Sequence, residues 1–288
     1  MKMLMCHDGS SRTDEALQFA SIIAKACKAD VTLLGVAPAE GDAEALLKHL
    51  EKKRDQQQKE GVATQMLAKT GSPVEEILGH EEQGGYDVVV LGAGRTVPPL
   101  TGKTYELVRQ IKPAVLIVAG DRKELRKILV CSSGAPCSEE PIRAATDLAQ
   151  CTKAQVILLH VLPDAPPFYS SIVAQQEDAE QVVQSGSELG VNLQREKEML
   201  EKAGVEVTLQ TRHGHVADEV ISEVREQDID LIVVGSSVDR GALYRYLLAD
   251  VTRQIVIRAP CPVLIARHAS SQSQGGFWRR FGRIFGGH

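Results

Sequence analysis

Along the first 120 residues, short apolar and β-branched runs alternate with longer stretches in which apolar residues recur every three or four positions. Runs of the first kind read as buried strands, and stretches of the second kind read as amphipathic helices. The pattern predicts strands near 2–7, 31–36, 62–68, 86–91 and 114–119, with four helices between them. In the first helix Leu17, Ala20, Ile23, Ala24 and Cys27 share one face, and Ser11, Thr13 and Asp14 are available to cap its start. Strict alternation of strand and helix is the signature of βαβ units and of a parallel sheet.

The pattern then repeats. KMLMCHDGSSRTDEALQFASIIAKACKADVTLLGVAP (2–38) lies without a gap on KILVCSSGAPCSEEPIRAATDLAQCTKAQVILLHVLP (127–163). GVATQMLAKTGSPVEEIL (61–78) matches GVEVTLQTRHGHVADEVI (204–221), and YDVVVLGAG (86–94) matches IDLIVVGSS (229–237). The spacing between copies widens after Pro163, which places an insertion, a longer loop or helix, between Pro163 and about Gly190. Each copy closes on a short apolar run, KPAVLIV (112–118) and CPVLIA (261–266). We expect two tandem α/β domains, 1–120 and 126–268, each a doubly wound parallel five-stranded sheet, followed by a separate tail, 269–288. In such sheets ligands sit beyond the carboxyl ends of the strands, where the strand order reverses.

Composition adds limits. At 288 residues and 43% hydrophobic, the chain can bury two cores without disulfides or metal. A net charge of -5 argues against a nucleic-acid binder, which needs clustered Lys and Arg. Cys6, Cys27, Cys131, Cys137, Cys151 and Cys261 form no CxxC pair, and the Met1 end carries no apolar signal core, so a cytoplasmic protein is expected. Runs such as VVVL (88–91) fall far short of the roughly 20 residues that span a bilayer.

The candidate chemistry lies in the loops after the first and fourth strands of copy one. Asp8 and Gly9 follow strand one; the carboxylate suits a ribose or base, the glycine permits close backbone approach, and the same residues serve equally as a helix cap. After strand four, Gly92 and Gly94 can open a cradle of backbone N–H groups, Arg95 and Lys103 add positive charge, and Gly102-Lys103-Thr104 begins a helix whose N-terminus favours an anion. This is not a P-loop, because Val97 stands five residues before Gly102, and not a dinucleotide fingerprint, because the GAG follows strand four. His213 and His215 flank Gly214 without further ligands nearby and read as a turn or cap, not a metal site. Ser132-Ser133-Gly134 and Gly235-Ser236-Ser237 are no GxSxG elbow, and Cys6 and Cys131 read as buried hydrophobes.

The order of strand-DGS-helix, GSP turn, strand with Gly-rich loop, and closing CPVLI strand resembles the universal stress protein family in its tandem form, over residues 1–268. The resemblance implies flavodoxin-like domains of the adenine-nucleotide-binding type and pairing through the last strands, between domains or between chains. It also implies, in one subgroup, ATP held by GxxG, a nine-residue spacer and G[ST]. On that pattern Asp8 is the Asp after strand one, Val36 ends the strand whose backbone receives adenine, Gly92 is the first phosphate glycine and Gly102 the last. Arg95 replaces the second glycine and Lys103 the small hydroxyl residue, with Gly94 and Thr104 in compensating places. Copy two departs further: Ser133 replaces the Asp, Val238 replaces a glycine, and Ala249-Asp250 stands where G[ST] would be, so no ATP is expected there.

The function expected is a stress-linked regulator that binds an adenine nucleotide in copy one, with at most weak ATP hydrolysis and an unidentified protein partner. The alternatives are an interaction module without nucleotide, or a phosphoryl-transfer or small-molecule enzyme using the 92–104 loop. In the tail, Phe277, Phe281, Ile284 and Phe285 fall on one face of a helix drawn through them, with Arg280 and Arg283 turned largely away. Such a segment suits peripheral contact at the inner face of a membrane, or a partner, against a disordered end or a fold-back.

Overall fold

A computed structural model describes residues 1–94, 102–135, 139–163, 179–236 and 242–267, with residues 40, 94, 102–104 and 242–249 described by backbone alone. The chain divides into two compact units, Met1–Leu125 with the segment from Cys261, and Arg126–Pro260. The tail, 269–288, lies outside the described residues, as does Arg95. Among the described residues no helix is long and apolar enough to cross a membrane.

The first unit runs β1 (Lys2–His7), α1 (Ser11–Ala26), β2 (Asp30–Ala37), α2 (Glu40–Lys59), β3 (Ala63–Thr70), α3 (Pro73–Gly84), β4 (Val88–Gly94), α4 (Gly102–Gln110) and β5 (Ala114–Ala119). The strands lie parallel in the order β3-β2-β1-β4-β5. Met3, Leu4 and Met5 of β1 are all buried, as a central strand covered on both faces requires. Crossovers β1-α1-β2 and β2-α2-β3 step one way along the sheet and the later ones step back. Right-handed connections therefore set α1 and α2 on one face, α3 and α4 on the other. The order reverses between β1 and β4, and their carboxyl ends open the crevice where the candidate residues fall.

The second unit repeats this plan with β6 (Lys127–Ser132), α5 (Glu139–Thr152), β7 (Gln155–Leu162), α6 (Ala179–Gln184), α7 (Glu188–Lys202), β8 (Val207–His213), α8 (Val216–Glu226), β9 (Leu231–Gly235) and α9 (Ala242–Arg258). Its strands lie parallel in the order β9-β6-β7-β8. The short helix α6 falls within the insertion read from the repeat. The two copies also share their fastening. Asp87 Oδ2 accepts from the Lys2 amide at 2.7 Å, and Asp230 Oδ2 accepts from the Arg126 and Lys127 amides at 2.8 and 3.1 Å.

The strand that closes copy two, β10 (Val263–Ala266), packs in the first unit. It pairs antiparallel with β5, Val263 opposite Ile117 and Ile265 opposite Val115. The two terminal runs, 114–119 and 261–266, therefore meet, and the outer edge of β5 is covered rather than left as an open row of backbone donors and acceptors. Arg267, just past β10, donates from its guanidinium to the Val108 carbonyl of α4 at 2.6 Å.

Candidate functional site

β1 ends at His7 because Gly9 turns the chain with φ +83°, a conformation that disfavours side chains. Ser10 then caps α1, its hydroxyl accepting from the Thr13 amide. The cap is thus Ser10, and Asp8 has a different job. Asp8 Oδ1 accepts from the Ser10 amide (2.9 Å), the Ser10 hydroxyl (2.6 Å) and the Thr13 hydroxyl (2.8 Å), which fixes the carboxylate at the end of β1. All three bonds fall on Oδ1; Oδ2 takes none of them. Burial pushes the Asp8 carboxyl up, but the hydrogen bonds from Ser10 and Thr13 together outweigh it and hold Asp8 below the usual carboxylate range.

At the end of β4 the register with β5 slips between Gly92 and Gly94, an irregularity of the ladder at the carboxyl end of the strand. Gly92 also lies against α1: a Cβ there would sit 3.2 Å from both Ala16 Cβ and Thr13 Cγ2. Val36, at the end of β2, is buried. Asp8, Gly9, Val36, Gly92 and Gly94 therefore share one edge of the sheet, at the ends of three adjacent parallel strands. α4 begins at Gly102, and nothing is described of the Lys103 and Thr104 side chains.

Beneath this edge lies a second cluster that the motif reading passed over. Asp14 Oδ1 receives His7 Nε2 at 3.0 Å, His49 Nε2 at 2.9 Å and Lys53 Nζ at 2.9 Å. Because the Gly9 amide donates to His7 Nδ1 at 3.0 Å, the neutral ring carries its proton on Nε2 and donates it to Asp14. Burial lowers the His7 pKa, against the pull of Asp14 in the opposite sense. Burial raises Asp14, and bonds from Lys53, His49 and His7 reverse that and leave it depressed.

The corresponding place in copy two is built differently. Ser132, Asn192 and Glu196 stand where copy one has His7, His49 and Lys53. The Ser132 hydroxyl donates to Glu196 at 2.5 Å, and Asn192 Nδ2 donates to the Gly134 carbonyl at 3.0 Å. The imidazole has moved to the neighbouring strand. His7 pairs in register with Gly35, and Ser132 pairs in register with His160, whose Nδ1 lies 3.0 Å from the Ser132 carbonyl oxygen. Ser133, in the place of Asp8, has a buried hydroxyl with no hydrogen-bond partner among the described residues. In the sequence this layer is marked by the exchange of His7 and Gly35 for Ser132 and His160, and of His49 and Lys53 for Asn192 and Glu196.

The remaining candidates resolve simply. His215 is the N-cap residue of α8, its Nδ1 3.4 Å from Asp218. Burial pushes the thiols of Cys6 and Cys131 up to about 12, leaving almost no thiolate at neutral pH.

The model of the universal stress protein family matches residues 1–103 and 124–267. A universal stress protein of Methanothermobacter thermautotrophicus is 30% identical over 142 residues, which cover 49% of this chain and 95% of the relative. Among solved structures, one of a universal stress protein from Archaeoglobus fulgidus has a TM-score of 0.68 at 17% identity, covering 92% of this chain and 98% of that one. A Pseudomonas aeruginosa protein of unknown function has a TM-score of 0.69 at 16% identity, covering 98% and 96%. At those identities the structures speak to the fold alone.

Proposed function

The chain belongs to the universal stress protein family, and we propose that it is a non-catalytic stress-response regulator whose first copy binds an adenine nucleotide and whose second copy binds none. The observation that carries this reading is the braced carboxylate of Asp8 at the strand-order reversal. Its ionised state and fixed orientation suit a ribose hydroxyl, with Oδ2 as acceptor. Gly9 lets the ligand approach the backbone, and Val36 offers its main chain to the base. The register slip at Gly92–Gly94 offers amides to the phosphates, followed by Arg95, Gly102, Lys103 and Thr104. In copy two Ser133 has no carboxylate to offer.

Titration calorimetry of the full chain with ATP and AMP tests the assignment. Asp8→Ala is expected to weaken binding by about tenfold or more, the scale of a lost hydrogen bond to a charged group. Ser133→Ala is expected to leave it unchanged. An equal loss from both substitutions, or none from Asp8→Ala, would overturn the assignment to copy one. Regular turnover of ATP with an acceptor would favour the phosphoryl-transfer alternative.

A further inference from the structure

We propose that His7, His49 and Asp14 form a binding site for a divalent first-row transition ion of the zinc type, separate from the nucleotide edge above it. The three residues come from β1, α2 and α1, and their ligand atoms all lie within 4.8 Å of one another. Two imidazole nitrogens and one carboxylate oxygen are the donor set that such ions take, and three protein ligands leave a fourth position for water or a small ligand. With metal–ligand bonds near 2.05 Å, tetrahedral geometry sets ligand atoms roughly 3.3 Å apart. His7 Nε2 and His49 Nε2 already lie 3.0 and 2.9 Å from the Asp14 oxygen, and the two nitrogens lie within 4.8 Å of each other, so side-chain adjustment without backbone movement would set the three atoms around an ion.

Two further observations favour a ligand over a packing role. Copy two keeps a carboxylate, Glu139, at the place of Asp14 but has Ser132 and Asn192 where the two imidazoles stand, and its sheet has the same parallel order, so the fold does not require this donor set. The cluster also opens outward. The side chains of Asp14 and His49 are 23% and 31% exposed, and Asp14 and Lys53 line a cavity of about 280 Å³ between α1 and α2 that gives an ion a way in. The Lys53 ammonium, 2.9 Å from Asp14 Oδ1, is the cation that the metal displaces.

Ligation takes the Nε2 hydrogen from both imidazoles, that of His49 passing to its own Nδ1 or to solvent, and moves one proton within His7. Nε2 gives up its hydrogen to bind the ion, and Nδ1 takes a hydrogen that Thr13 Oγ1, 3.2 Å away, accepts. The Gly9 amide then loses Nδ1 as its acceptor, so metal occupancy is transmitted to the Asp8 turn.

The test is titration of the full chain with cobalt(II), read by its visible absorption, with zinc(II) in competition. We expect one equivalent to bind, with at least tenfold weaker binding in His49→Asn, a residue that the fold already accepts at Asn192. Lys53→Met should bind more tightly, because no ammonium competes for Asp14. No cobalt(II) uptake by the wild-type chain, or wild-type affinity in a His49→Asn variant with an unchanged far-ultraviolet spectrum, would overturn the site.

Discussion

Replacing Gly134 with alanine is expected to destabilise the second unit by roughly 2–4 kcal/mol, against about 1 kcal/mol for the same change at Gly9 in the first. Both glycines turn the chain after the first strand of their copy with positive φ, +68° at Gly134 and +83° at Gly9, so both substitutions carry the backbone cost. The space around them differs. A Cβ at Gly134 would overlap Leu189 Cδ1 and sit 3.0 Å from His160 Cε1, whereas at Gly9 the nearest atom is Leu46 Cδ1 at 3.4 Å. Leu189 of α7 and His160 of β7 both crowd the turn in copy two; the imidazole stands where copy one has Gly35. Urea unfolding of the two variants checks the ranking. Equal losses would show that Leu189 and His160 give way around the methyl group and that the turn in copy two is not filled.

The second large effect depends on pH. Burial pushes Asp147 up to about 7, against Arg143, and pushes Glu196 up to about 7, against the Ser132 hydroxyl. Unfolded carboxyls titrate near 4, so from there to about pH 7 the folded state holds protons that the unfolded state has lost. The stability from these protonated carboxyls is fully present below their unfolded pKa and is lost as pH rises towards 7. Asparagine at 147 or glutamine at 196 cannot ionise. Each is therefore expected to gain stability relative to the wild-type chain between pH 5 and 8, by about 2–3 kcal/mol at most. The lowered pKa of His160 gives the opposite slope below its ordinary value of about 6.5, and comparing variant with wild type at each pH removes that contribution. Unfolding curves for Asp147→Asn that track the wild type with a constant gap at every pH would refute the buried acid.

The fold was legible because period and repetition are local properties of a chain. Alternating strand and helix patterns gave five strands per copy, and the self-match of 2–38 with 127–163 gave two copies before any contact was known. Asp8 and Gly9 could be picked out for the same reason, since each follows directly on a strand. Their division of labour could not. That Ser10 caps α1 while Asp8 braces the turn depends on where the Thr13 hydroxyl points, a matter of rotamers and not of composition.

What the sequence determined by itself was the alternation of strands and helices and its repetition in two copies, because periodicity is written locally along the chain and the handedness of the crossovers follows from chirality. Tertiary structure alone decided two things. It set β10, by sequence the end of copy two, antiparallel on β5 within one chain, where the apolar runs left open whether the last strands pair between domains or between chains. It also brought His49 and Lys53 of α2 onto Asp14 of α1 and His7 of β1. Those residues lie up to two helices apart along the chain. Only the packing of α1 beside α2 over β1 converts their separate side chains into one charged site.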